Sequence, residues 1–312
     1  MKLILCLLVV ISCSLIIFFT SNSAAIRKLN AISRDERKCL ELFFRAAFAN
    51  DGLGYTIFGE KPMTVVGFFD PLASEKRSQI DCSFSFLNPE NLRIKKGCEL
   101  LEKYKNLFCS KTIKIKKCKN FIANDVSCIL FINVDVFTKT VDDNLSDFKK
   151  ILGETITSDL LLERILQTDN VFGEVLRNHQ GLIGTLLGYG RNNAWLFHMR
   201  EEGCFFNGMD SLLTWDSFSI KRPRTILTKE EIQEIDHKLS VFDERGILDF
   251  NPLLMRLPCF LADHSTVETK KLKSKYQSQY RDIIHRYENQ DFLEVTVDQI
   301  YPRFFKARFW EQ

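Results

Sequence analysis

Residues 3–19 are apolar apart from Ser12 and Ser14, and a single lysine, Lys2, precedes them. Water solvates such a run badly, and no polar residues break it into the two-sided pattern of a helix packed against its own protein. As a helix it reaches about 25 Å at about 1.5 Å per residue, near the lower limit for crossing a bilayer. The segment therefore points to lipid or to the export machinery. Three fates fit it. A signal peptide would be removed near Thr20-Ser21-Asn22-Ser23-Ala24-Ala25, where small residues suit a signal peptidase. An uncleaved anchor would keep it, with Arg27 and Lys28 holding the body on the cytoplasmic side. A lipoprotein signal would acylate Cys13, since Val10-Ile11-Ser12-Cys13 has the form of a lipobox, although residues 15–19 stay apolar where mature lipoproteins turn polar. Residues 1–25 are thus a signal peptide or membrane anchor, with membrane contact through residues 3–19. Residues 26–312 are expected to form a single globular domain.

That body has the composition of a folded protein: 45% of the 312 residues are hydrophobic and 27 are Phe, enough for a sizeable core. Seven Pro and 14 Gly mark out no linker, and no internal repeat appears. Of the ten cysteines, eight lie beyond the apolar run, an even number that permits disulfides in an exported body and equally permits small buried thiols in a reduced one. None has CxxC spacing and no histidine stands beside them in a zinc pattern, so neither metal nor cofactor is expected.

Helix starts are legible along the body. Ser33-Arg34-Asp35-Glu36 is a capping box, opening a helix with Leu40, Phe43, Phe44, Ala47 and Phe48 on one side and a stop at Asn50-Asp51-Gly52. Asn88-Pro89 starts another that runs to about Phe108. The N-terminal signature recurs at residues 140–143, 228–231 and 265–268, and further helices are expected over 157–167 and 169–188. Between them, residues 55–58 and 63–66 flank Gly59-Glu60-Lys61-Pro62 as a β-hairpin. Residues 81–86 alternate polar and apolar, residues 129–137 suit a central strand, and residues 292–297 and 304–310 look extended. The expectation is α+β: a mixed sheet with several helices and a helix-rich second half, behind the apolar targeting helix.

Two features invite a functional reading. Between Arg93 and Lys119 stand ten basic side chains against two acidic ones, a net +8 in a chain whose total is +3. Its strand-like part carries Lys111, Lys114, Lys116, Lys117 and Lys119. Such a patch suits anionic lipid or phosphate, but no aromatic residues interleave with the lysines for base stacking, so protection of an edge strand is preferred over nucleic acid. The second feature is Leu186-Leu187-Gly188-Tyr189-Gly190-Arg191-Asn192-Asn193, where a helix ending at either glycine gains a left-handed cap. Arg191 and the asparagines there are able to hold an anion or to satisfy carbonyls freed at the helix end. His179 and His198 bracket this segment, and residues 270–286 form a basic helix with a thin face of Leu272, Tyr276, Tyr280, Ile283 and Ile284. No HExxH, GxSxG or GxxxxGK[ST] motif is present.

Three stretches (residues 54–63, residues 186–193, and residues 257–260 leading into the 265–276 helix) resemble segments of a family of uncharacterised, envelope-targeted proteins of intracellular bacteria. That family has no established activity, so the resemblance implies location more than chemistry, and it picks out Tyr55, Lys61, Arg191 and Asn193 as binding residues. The resulting expectation is a non-enzymatic envelope protein that binds a protein partner or an anionic ligand. The alternative is an enzyme with its site between the 55–63 hairpin and the Arg191 turn.

Overall fold

The computed structural model describes residues 25–69, 89–119, 126–201, 213–214, 258, 260–263, 265–288 and 290–301. The targeting segment with Cys13, the strand at 81–86, the helix start at 228–231 and the extended stretch at 304–310 lie outside the described residues. Among those described, no helix is long and apolar enough to cross a membrane.

After a helical turn at 25–30 (α1), Ser33 caps α2 (Arg34–Asp51): its Oγ accepts from the Glu36 amide and donates to the Glu36 carboxylate. Glu36 also accepts from Lys103 Nζ at 2.7 Å and Tyr104 Oη at 2.8 Å, tying α2 to α4 (Pro89–Lys103). These donors hold its carboxyl down at about 2. Where α2 crosses α4, a Cβ on Gly97 would lie 2.5 Å from the Cys39 carbonyl oxygen and 2.6 Å from Phe43 Cβ, so only hydrogen fits the crossing. Ser33→Ala should lower stability by about 1 kcal/mol through the lost cap, read from urea unfolding.

The sheet has the order β1 (Met63–Phe69), β3 (Val126–Asn133), β2 (Ile113–Lys119), and both pairings are antiparallel. The expected mixed sheet is thus replaced by an antiparallel one, because a short connection between β2 and β3 can join only strands that run oppositely. β3 is central as expected and faces a core on each side. Ile129 and Phe131 join α2, α3 (Leu53–Ile57), α4 and two C-terminal helices, α11 (Val267–Tyr287) and α12 (Phe292–Ile300). Cys128, Leu130 and Ile132 join α6 (Val134–Asp143), α7 (Leu145–Leu152), α8 (Ser158–Gln167) and α9 (Gln180–Leu186). Burial on both faces explains why β3 is a nearly unbroken apolar run. The remaining described elements are α5 (Lys105–Phe108), α10 (Arg191–Glu201) and a two-residue pairing of β4 (Leu213–Thr214) with β5 (Leu261–Ala262). After Val134, every described element except β4 and β5 is helical.

Several expectations are corrected. Residues 55–58 form no strand: Gly52, at φ +68°, ends α2 and the chain enters α3 at once, so the hairpin becomes a helix, a turn and a strand. All five α3 residues are buried, and burial overrides the β propensity of Tyr, Thr and Ile. β3 stops at Asn133 rather than Phe137, because the Asn133 side chain accepts from the Val136 amide and caps α6. Thr140 therefore lies inside α6, its carbonyl accepting from Asn144 Nδ2. Residues 292–297 are helical, with Asp291 capping through the Glu294 amide. The helix expected over 169–188 splits into a π-helical turn (Val171–Val175) and α9, interrupted by positive φ at Arg177 and Asn178. The cap of α11 is Thr266 rather than Ser265.

The lysine patch divides in the same register. Lys114 and Lys116 share the face of Leu130 and Ile132 on the edge strand, with Lys114 Nζ donating to the Ser110 carbonyl and Lys116 paired with Asp169 at 2.8 Å. Lys117 is exposed on the opposite face, Lys111 precedes the strand, and the Lys119 side chain is not among those described. Lys114, Lys116 and Lys117 thus share no common face. Their place at the edge fits the protective role.

Candidate functional site

The α9–α10 turn is where the structure gathers the residues singled out above. Gly188 and Gly190 both take left-handed φ, +80° and +83°, reversing the chain between the two helices. The N-terminal half of α11, with the residues just before it, packs against this reversal and is fastened to it at several points. Tyr276 Oη donates to the Gly188 carbonyl at 2.8 Å. The Glu268 carboxylate accepts from the Asn192 amide at 2.9 Å. Asn193, 1% exposed, donates through Nδ2 to the Tyr189 carbonyl and accepts through Oδ1 from the Asp263 amide and Thr269 Oγ1. Asn193→Ala removes all of these bonds and leaves buried groups without them, so stability should fall by about 2–3 kcal/mol in urea unfolding.

From the other side, the loop between α3 and β1 brings Lys61 and Pro62 against Gly188: a Cβ there would lie 3.2 Å from Lys61 Cγ and from Pro62 Cδ. The Tyr55 ring meets Tyr276 edge-on, centroids 5.2 Å apart. Its hydroxyl is buried with no hydrogen-bond partner, and burial pushes both phenols up. Lys61 is 4% exposed and donates to the Asp51 carbonyl oxygen at 2.9 Å. Burial lowers its ammonium to about 8 against the support of the nearby Asp51 charge, and burial raises the Asp51 carboxyl to about 7.

Arg191 stands at the mouth. Its guanidinium forks the Asp147 carboxylate at 2.5 and 3.1 Å, and this bond is the first cause of its raised proton affinity. A recess of about 180 Å³ lies between these elements, walled by Glu60, Pro62, Gly188, Arg191, Glu268 and Tyr276. Lys275 reaches over its rim to Glu60 at 3.0 Å.

Tyr55, Lys61, Arg191 and Asn193 therefore surround one turn, but not as four open ligands. Asn193 joins α10 to α11, Arg191 holds Asp147, and Lys61 is enclosed. The sequence pattern missed Asp51, Asp147, Glu268 and Tyr276. Glu268 carried a signal, because it stood in a helix-start signature whose carboxylate turned out to reach Asn192 instead of its own helix. The positive φ at Gly188 and Gly190 is the one the sequence led us to expect.

The two bracketing histidines do come together, with ring centroids 3.9 Å apart and Trp195 beside both. His179 Nδ1 accepts from the Leu182 amide as the cap of α9. His198 Nδ1 and Trp195 Nε1 are buried without hydrogen-bond partners. Among the described residues no group of three His, Cys, Asp or Glu side chains is placed to hold a metal. Comparison with protein-family models, with curated proteins and with solved structures gives no match to this chain.

Proposed function

We propose that this is a membrane-targeted protein of a bacterial cell envelope whose α+β body binds a protein partner at the recess beside Gly188. The observation that carries the reading is the fastening of the recess: Tyr276 to Gly188, Glu268 to Asn192, and Asn193 to Asp263 and Thr269. Walls held in this way lose little freedom when a partner docks, which favours affinity. The rim alternates charge through Glu60, Lys275 and Glu268, matching a polar surface with donors and acceptors of its own. A protein partner is better supported than a small anion, because the Arg191 fork is already filled by Asp147 and the Lys61 ammonium faces the Asp51 carbonyl. The apolar run at residues 3–19 and the resemblance to envelope-targeted proteins support the location.

Cell fractionation with intact-mass measurement of the N-terminus tests the location. A mature mass lacking residues 1–25, a diacylglyceryl adduct on Cys13, or an intact Met1 in the membrane fraction each supports targeting and separates the three fates. The full-length chain dissolved in cytosol removes the reading. Photo-crosslinker placed at Leu272, beside the recess, should capture a partner that the same group at Lys117 does not. Equal capture at both positions removes the recess from it.

An enzyme is the second reading, and one observation favours it: the Lys61 amine and Asp51 carboxyl have proton affinities drawn together near neutrality, as acid–base partners require. Competitive acylation at neutral pH distinguishes them. Lys61 reacting ahead of the exposed lysines supports catalysis; reacting last, it is a buried structural group.

A further inference from the structure

We propose that Cys118 and Cys128 form a redox-modification site, a cross-strand thiol pair that closes to a disulfide by exchange with a disulfide-bearing oxidant such as oxidised glutathione. The two residues are direct partners in the β2–β3 register, and their sulfurs lie 2.7 Å apart. Directly opposed residues of antiparallel strands have Cα atoms about 4.5–5.5 Å apart, within the span a disulfide bridges. Both side chains are buried on the face shared with Leu130 and Ile132, which holds them in place. They occupy the rung next to the last of this ladder, with Lys119 and Ser127 beyond them. Strand ends open more readily than centres, which gives an oxidant access without global unfolding.

The pair also sets the order of events. The two sulfurs share a hydrogen bond that either thiol can donate; donation from Cys118 pulls Cys128 below the ordinary thiol range and raises Cys118, while the Cys128 thiol also reaches the Cys118 carbonyl at 3.4 Å. Cys128 is therefore the attacking thiolate. Its sulfur bonds to one sulfur of oxidised glutathione, breaking that disulfide and releasing one glutathione thiolate. Cys118 then loses its proton and attacks the Cys128 sulfur, which expels the second glutathione. Two protein thiols are oxidised, one glutathione disulfide is reduced, and the two protons leave on the two glutathiones. Cys98 is a contrast within the same chain: burial pushes its thiol up to about 12, leaving little thiolate to react.

The full chain, purified in detergent, is equilibrated with oxidised glutathione, denatured, alkylated and digested. The expected result is a loss of two alkylatable thiols and a linked peptide containing Cys118 and Cys128, lighter by two hydrogens. Cys118→Ser should instead leave glutathione on Cys128. The melting temperature of the wild type should be higher in oxidising than in reducing buffer, and the Cys118→Ser/Cys128→Ser variant should show no such difference. Melting of that variant in reducing buffer reports that it folds. If both thiols stay alkylatable under excess oxidant, or if either pairs with another cysteine, the assignment is wrong.

Discussion

Replacing Gly188 with alanine should destabilise the protein by about 4 kcal/mol, a large share of the 5–15 kcal/mol that holds a typical domain folded. Three physical contributions combine there. At φ +80° an L side chain brings Cβ against the backbone, which costs about 1–2 kcal/mol. The new carbon would lie 2.5 Å from Tyr276 Oη and 3.2 Å from Lys61 Cγ and Pro62 Cδ, an overpacked position worth about 1–3 kcal/mol. Relief of that contact lengthens or breaks the Tyr276 bond to the Gly188 carbonyl, adding about 1 kcal/mol. Gly52→Ala is the control. It has the same sign of φ, but its nearest contact is the edge of the Tyr55 ring at 3.3 Å, so about 1 kcal/mol is expected. Adding Tyr276→Phe to Gly188→Ala removes the hydroxyl that blocks the new methyl, so the double variant should lose less stability than the sum of the singles. If chemical denaturation finds Gly188→Ala no worse than Gly52→Ala, the close packing of the α3–β1 loop, α11 and the α9–α10 turn is wrong.

The parts of this fold that could be read from sequence are those settled within a few residues. Ser33 and Glu36 lie three positions apart, so the Ser33 hydroxyl meets both the amide and the carboxylate of Glu36 within one turn, and the two ends of α2 are legible from the sequence. The thin apolar face of α11 and the left-handed glycines at 188 and 190 were legible for the same reason. Residues 55–58 and 292–297 failed because short apolar segments fit a strand or a buried helical turn equally well. At residues 292–297 the local answer was present, since Asp291 and Glu294 have capping spacing, but the β-branched and aromatic residues drew the reading towards a strand. At residues 55–58 nothing local helps. The outcome depends on burial among helices hundreds of residues away in the chain.

The candidate site follows the same division. The turn that bears Arg191 and Asn193 announced itself by its glycines. Its partners did not, because Tyr276 is 88 positions from Gly188 and Arg191 is 44 from Asp147. The cross-strand cysteines are only 10 apart, yet their pairing depends on register, and a slip of one residue would turn one of them to the other face. Composition therefore left the cysteines open between thiol and disulfide, and register decided which pair can close.

The Asp51–Lys61 pair should give the protein a minimum of stability between about pH 7 and pH 8. Asp51 holds its proton up to about 7 in the folded state, against 3.8 ordinarily. Its contribution is fully present below pH 3.8 and disappears as pH rises through 7, because the unfolded chain has by then released the proton that the folded chain retains. Lys61 acts in the opposite sense. Its folded value of about 8 lies under the ordinary 10.5, so its contribution is present above 10.5 and is lost as pH falls through 8. Between the two limbs both groups carry their charges in a buried setting, where desolvation opposes them most. At about 1.4 kcal/mol per pKa unit, the Asp51 limb is about 4–5 kcal/mol and the Lys61 limb about 3–4 kcal/mol. Urea unfolding from pH 4 to pH 11 measures this directly, and subtraction of variant curves removes the titrations of surface groups. Asp51→Asn should flatten the falling limb from pH 4 to 7, and Lys61→Met the rising limb from pH 8 to 10.5. A difference curve without a limb in either variant would mean that the pair meets water freely, and the enclosed lysine on which the enzyme reading depends would be gone with it.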